Sequence, residues 1–433
     1  MGIMIKKSFI VSAIFVFSTL VQLISQIVVT RLFGATFDLD VFLAAVALPT
    51  IIVTVIYGTL NDVLLPLLGD KKSSGENNLD FYFSKILINI SLIVTAFSLL
   101  IYFFSFSFSH LLYGSRGEVF VQAVARQMSF MSLSYPLAII TTFFGAYFYL
   151  HKNFIRFPLV QLIGSTANVL FILVFSKYFG IWSLVYAFIL NLIIQVIFII
   201  RPEKIKLFAG LKFTRSGTGN FLIAWLPLLI GYLALRSDIL LVRSLGSTLP
   251  EGSLVRLNLI FRIFSLATSI MSIGFQIVLL PQLVEDFNLK NFRKAIFDVR
   301  KFKFITLGIS LVVTMFTVML TPYLIRLLFV GGKFTASDAS QTLAFIPFFI
   351  LPAVGWGINN IFFQPLIALK KQKELGILNI FAFALAWVVG SVLIKFLPPQ
   401  FAITASLLTL LFTGIIGSEI LWQYYKKALL LKK

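Results

Sequence analysis

The 433-residue sequence has no cysteine and only two histidines. Disulfide frameworks and thiolate–metal sites are therefore excluded. His110 and His151 lie 41 residues apart without metal-ligand spacing, so both are read as structural. Charge is scarce as well. Only 12% of residues are Asp, Glu, Lys or Arg, against about 25% in a soluble domain. The 16 acidic residues fall mostly in loops, and no large polar loop could hold an active site. Acid–base chemistry needs convergent groups, so a membrane glycan ligase or polymerase is disfavoured and the chain is read as a non-enzyme. Alternating ten-residue segments of a membrane barrel are absent, as is any ring-forming channel filter motif.

What remains is apolar. Hydrophobic residues make up 59% of the chain, and mean hydropathy is +1.00. Lipid cannot satisfy free backbone groups, so every span must be helical. At about 20 residues per crossing the sequence divides into twelve spans: 8–30, 40–68, 83–109, 119–150, 157–177, 181–200, 220–244, 253–283, 302–330, 338–369, 374–395 and 401–424. The N-terminal apolar stretch is too long for a signal peptide and lacks a small-residue cleavage site, so it is read as the first retained span.

The net charge of +20 invites a nucleic-acid reading, but its distribution argues otherwise. Most of the Lys and Arg fall in alternate connections, such as Lys152 and Arg156, Lys290 to Lys303, and Lys370 to Lys373. This is the positive-inside pattern. It places both termini in the cytoplasm and makes membrane lipids, not nucleic acid, the partners of these charges.

The chain also looks duplicated. "NDVLLPLLGD" (61–70) corresponds to "FQIVLLPQLVED" (275–286), "RLFGA" (31–35) to "RSLGS" (243–247), and "HLLYGSRGEVFVQ" (110–122) to "RLLFVGGKFTASD" (326–338). The offset from Pro66 to Pro281 is 215 and from Leu112 to Leu328 is 216. The fold class implied is an all-α polytopic membrane protein with two six-helix lobes, 1–200 and 220–433, joined by a basic cytoplasmic linker, 201–219. An even number of spans per repeat puts the pseudo-two-fold axis along the membrane normal and favours a transporter that alternates access.

The polar stretch "VGGKFTASDAS" (330–340) resembles a phosphate loop only superficially, because the GxxxxGK[ST] spacing is missing. Its glycines suit a sharp turn, and Thr335 with Asp338 has capping-box spacing for span ten, with Asp in place of Glu. Lys333 is read as an interfacial anchor. Asn61 and Gln276 each precede a repeat proline by five residues, where an amide can bond interrupted backbone. Glu419, near the end of the last span, is read as solvated.

These segments resemble a known family. "RLFGATFDLDVFLAAVALP" (31–49) with "LLPLL" (64–68), "FRIFSLATSIMSIGFQIVLLPQL" (261–283) and "GKFTASDA" (332–339) are similar to the MurJ (MviN) lipid II flippases. These belong to the multidrug/oligosaccharidyl-lipid/polysaccharide (MOP) exporter superfamily. Many members carry two further C-terminal spans. The resemblance implies export of an undecaprenyl-pyrophosphate-linked glycan across the bacterial cytoplasmic membrane, through an arginine-lined cavity, for cell-wall or surface polysaccharide synthesis. Separately from the resemblance, the chain is expected to act as a monomer, with no cofactor beyond a coupling ion, Na+ or H+. The sequence departs from the family pattern where basic residues are usual: Thr19, Ser25, Val53 and Thr54 stand there, and Ser265 replaces an acid. A related lipid-linked oligosaccharide therefore stands beside lipid II as substrate. A MATE-type cation-coupled drug antiporter is the alternative, but its cavity should be rich in carboxylates.

Ionisable residues inside spans are costly and usually functional. The candidate substrate contacts are Arg262, inside span eight, with Asp40, Arg31, Arg236 and Arg243. Arginine suits a diphosphate through charge-assisted, bidentate hydrogen bonds. Asp238 in span seven, with Asn379 in span eleven, is either an ion-coupling pair or part of a structural ion pair with an arginine of another helix.

Overall fold

The computed structural model describes residues 2–73, 79–200 and 218–431. The segment 201–217 of the expected linker lies outside it, as do the side chains of Asp62 and Gln276. The described chain is helical, with a single isolated bridge, Gly331–Phe334. The first compact unit, Met1–Leu229, contains α1 (Gly2–Phe33), α2 (Phe37–Ser73), α3 (Leu79–Phe103), α4 (Ser105–Tyr113), α5 (Glu118–Ser132), α6 (Tyr135–Leu150), α7 (Arg156–Phe179) and α8 (Trp182–Ile199). It also takes the first part of α9 (Thr218–Leu235). There Trp225 Nε1 donates to Thr59 Oγ1 at 2.9 Å, and Phe221 packs on Phe143. The second unit, Ile230–Lys433, completes α9 and adds α10 (Asp238–Gly246), α11 (Ser253–Asn288), α12 (Phe292–Leu324), α13 (Ala336–Leu343), α14 (Ile346–Ala368), α15 (Gln372–Leu393) and α16 (Pro399–Leu431).

Ten helices among the described residues are long and apolar enough to cross a membrane, or eleven if the bent pair α9–α10 forms one span. The expected twelve are not reached by that count. The 36-residue α11 lies where the sequence places span eight, with its side chains over 269–278 outside the description.

Four expected spans are divided, and span three breaks at Phe104 between α3 and α4. Span four splits into α5 and α6, and span ten into α13 and α14, each with a proline at the start of the second helix. Proline has no N–H and clashes with the preceding turn. The carbonyl freed by Pro136 is that of Ser132, and it accepts a hydrogen bond from Ser98 Oγ at 2.7 Å. A neighbouring helix thus supplies the donor that lipid cannot. Span seven bends by 45° between α9 and α10.

Both units repeat one packing plan. In the first, α2 lies against α5 and α6, α3 against α6, and α7 pairs with α8. In the second, α11 lies against α14, α12 against α14, and α15 pairs with α16. Each unit also ties a loop to the start of its long central helix. In the first, Arg116 Nη2 donates to Asp40 Oδ2 at 2.7 Å, the Arg116 guanidinium lies 4.4 Å from the Phe120 ring centre, and Tyr113 Oη donates to the Ala44 carbonyl at 2.9 Å. In the second, Arg256 Nη2 donates to Asp338 Oδ1 at 2.8 Å. The other oxygen of Asp338 accepts from Thr335 N at 2.9 Å, and Thr335 Oγ1 accepts from Asp338 N at 3.1 Å. The capping box is therefore present, but it opens the short α13 rather than a continuous span ten. Gly331 and Gly332 have φ of 138° and 59°, so the turn before it uses conformations that disfavour a side chain.

Candidate membrane sites

Arg262 is nine residues into α11 and partly buried. Among the described residues no carboxylate lies within ion-pair distance of its guanidinium, and no hydrogen bond from it is formed. Ser265, at the position of the missing acid, instead donates its Oγ to the Arg262 carbonyl at 3.2 Å. An unanswered cation in a span is a ready partner for an anion.

Asp238 occupies the first turn of α10, just after the bend. Its Oδ1 accepts from the Ile239 N–H at 2.9 Å. No arginine is within ion-pair distance among the described residues; Arg236 acts on it through space, and the Trp356 indole lies beside it. The bend gives the site its shape. Ser237 Oγ turns back onto the Leu233 carbonyl, which leaves Asp238 to begin a new helix. Asp238, Asn379, Asn359 and Trp356 line one cavity of about 30 Å³, enough for one water or a small ion. Asn359 Oδ1 is buried there without a hydrogen-bond partner among the described residues. An uncompensated amide oxygen beside an unpaired carboxylate is a donor set that suits a hard cation such as Na+. Asp238 and Asn379, paired in the sequence reading, are thus brought together, while Asn359 and Trp356 were not anticipated.

The other candidates are placed differently. Asp40 is fully buried and held by Arg116. Arg243 is 5% exposed and its Nη2 donates to Asn258 Oδ1 at 2.8 Å. Arg236 is exposed at the α9–α10 bend, and Arg31 is exposed in the last turn of α1. Glu419 is not simply solvated, because Lys303 forms an ion pair with it. Asn61 Oδ1 is buried without a partner among the described residues. His151 Nδ1 lies 2.8 Å from the Tyr147 carbonyl, a structural contact. Among the described residues no three metal-ligating side chains cluster.

The sequence pattern of the family described as lipid II flippase MurJ matches residues 29–433. The chain belongs to the MurJ family. The probable lipid II flippase MurJ of Borreliella burgdorferi is 24% identical over 390 residues, covering 85% of this chain and 74% of that protein. A lipid II flippase MurJ solved in an inward closed conformation superposes with a TM-score of 0.77 at 20% identity, covering 96% and 87% of the two chains. An inward-facing multidrug resistance MATE transporter of the MOP superfamily gives 0.73 at 13% identity, covering 95% of each. At these identities the structures speak to fold alone. As a MurJ-family member the chain is a multi-pass membrane transporter, not an enzyme, and a lipid II flippase by family. Against the MurJ pattern, Thr19 turns its hydroxyl onto the Phe15 carbonyl at 2.9 Å. Val53 is buried, and Thr54 is exposed.

Proposed function

We propose that this chain carries an undecaprenyl-pyrophosphate-linked glycan, lipid II or a related lipid-linked oligosaccharide, from the inner to the outer leaflet of the cytoplasmic membrane by alternating access. Both termini face the cytoplasm, the lobes 1–200 and 220–433 are joined by the basic segment 201–219, and the chain works as a monomer. The observation that carries the reading is the guanidinium of Arg262, without an ion-pair or hydrogen-bond partner among the described residues, within an expected span of a MurJ-family chain. It offers the diphosphate a charge-assisted contact while few intramembrane carboxylates compete. The same scarcity of carboxylates disfavours a drug-cation antiporter. Arg31 and Arg236, both exposed, are further basic contacts for the anionic head. Asp40 and Arg243 act by fixing helices, each within its own unit. Asp238, Asn379 and Asn359 would hold the coupling cation. Bound there, it would neutralise the Asp238 carboxylate in a low-dielectric interior.

The test is accessibility of labelled lipid-linked precursor at the outer leaflet in cells depleted of the wild-type protein and complemented with variants. Arg262→Ala is expected to lower outward transport about tenfold or more, the worth of one charge-assisted hydrogen-bonding group, with normal insertion. Full transport by this variant would remove Arg262 from the site, and undiminished outward appearance after depletion would reject the flippase reading altogether.

A further inference from the structure

A second, larger recess lies in the C-terminal unit between α12, α14 and α16, and shares no residue with the Asp238 cavity. Its volume is about 620 Å³. One wall is a single stripe of α12: Arg293, Phe297, Arg300, Phe304 and Leu307 recur at intervals of three or four residues, a spacing that aligns them on one helix face. Fourteen residues of helix rise about 21 Å, so the stripe spans the distance from a lipid headgroup into the acyl region.

The two ends of the recess differ in chemistry. Towards the start of α12 it is cationic. Arg293 and Arg300 are exposed, and neither has a carboxylate within ion-pair distance among the described residues. Lys426 faces them from α16. Lys303 is committed: it pairs with Glu419 and sits 4.4 Å over the Phe362 ring, which fastens α12 to α16 and α14 and forms the floor. Four cations therefore meet one carboxylate. Further along, Phe304, Leu307 and Phe362 give an apolar wall, and Phe297 and Phe304 are 64% and 65% exposed. A soluble anion would use the first end and leave the second idle. A zwitterionic lipid would bring its own cation against Arg293 and Arg300.

We propose that this recess binds a membrane phospholipid with an anionic headgroup, its phosphate between Arg293, Arg300 and Lys426 and one acyl chain along Phe297, Phe304 and Leu307. By the charge distribution of the chain this is a site of the inner leaflet. The lipid braces α12 against α16 over the floor made by their shared ion pair, and its binding does not depend on which glycan the protein carries.

The purified full-length chain in neutral detergent provides the test, with lipid adducts read by native mass spectrometry and unfolding by melting temperature. Phosphatidylglycerol should bind and raise the melting temperature, while phosphatidylcholine of the same acyl chains and glycerol phosphate should do neither. The Arg293→Gln/Arg300→Gln variant should bind phosphatidylglycerol about tenfold or more weakly, given what each basic residue contributes near an anionic lipid. Lys301→Gln/Lys427→Gln, which removes two exposed charges outside the recess, should bind as wild type. Arg300→Gln alone serves if the double variant does not fold. Equal binding of the two phospholipids, or equal loss in both double variants, would reduce the effect to diffuse attraction and overturn the proposal. A response to glycerol phosphate equal to that of phosphatidylglycerol would make this a free-anion site. Displacement of phosphatidylglycerol by undecaprenyl phosphate at equal concentration would assign the recess to the carrier lipid.

Discussion

A carboxylate within a membrane span needs an answering charge, and among the described residues Asp238 has no cation within ion-pair distance, only backbone N–H, the Trp356 indole and the charge of Arg236 acting through space. Asparagine at this position could still accept from Ile239 while carrying no charge. Asp238→Asn is therefore expected to fold and insert normally and to lose the dependence of transport on the cation gradient and membrane potential. Transport measured with each gradient collapsed in turn decides it, and unchanged coupling would make the cavity merely structural. Asp338 presents the opposite case. Burial alone would raise its pKa, but hydrogen bonds from Arg256 and Thr335, with the Arg256 charge, outweigh that and hold it below the usual carboxylate range. A carboxyl whose pKa is lower folded than unfolded contributes stability above its unfolded pKa and loses it as pH falls through the folded value. Melting temperature is thus expected to drop more steeply on acidification in the wild type than in Asp338→Asn, which already lacks the ionised partner. Parallel pH profiles would contradict this.

Helix ends show a different economy. Lys152, Lys290 and Lys370 all sit at φ of 59°, where glycine is usual. Each closes the same two-bond cap: the residue after it donates to a carbonyl five back, as Asn153 does to Phe148 at 2.9 Å, Asn291 to Asp286 at 2.8 Å and Lys371 to Leu366 at 2.8 Å. A left-handed lysine is strained by about 1 kcal/mol or more, but a cation here suits the helix C-terminus and the basic side of the membrane. Lys290→Gly is expected to stabilise the protein by about 0.5–1 kcal/mol without altering topology, because Arg293 and Lys294 remain; chemical unfolding in detergent measures it. The helices themselves were legible in the sequence because apolar length is a direct physical requirement of the bilayer. Their breaks were less so. Hydropathy reports length and not direction, so the bend at Ser237 left no trace in it, although Pro136 and Pro347 marked two others. Asp238 and Asn379 stood out because polar residues are rare in spans. Asn359 and Trp356 did not, since neither is charged and their convergence depends on the bend. Arg116 was overlooked because a loop arginine needs no explanation until its partner, Asp40, proves fully buried.

At the scale of the whole molecule, the duplication has preserved a tether while reversing its polarity. In the first unit the long central helix supplies the acid, Asp40, and the loop supplies Arg116. In the second the helix supplies Arg256 and the first turn of α13, just after the loop, supplies Asp338. What both units keep is an ion pair that pins the loop to the helix start, so the constraint lies in the contact and not in either residue. The two pairs differ in environment. Asp40 is 0% exposed and has Arg116 at 10%, whereas Asp338 and Arg256 are 15% and 12% exposed, and Asp338 keeps Thr335 if Arg256 is lost. Removing one member of a buried pair strands a charge at a cost of about 3–5 kcal/mol, while removing both strands none. Arg116→Ala should therefore destabilise by about that much, and Asp40→Ala/Arg116→Ala by less than the single variant. Arg256→Ala should cost only about 1 kcal/mol, since its partner keeps solvent contact and a second hydrogen bond. Melting temperatures of the three variants in detergent test the ordering. If Arg256→Ala proved the most damaging, or the double variant were worse than Arg116→Ala, then the loop's packing around Tyr113 and Phe120, and not the ion pair, would be what holds the first unit's tether.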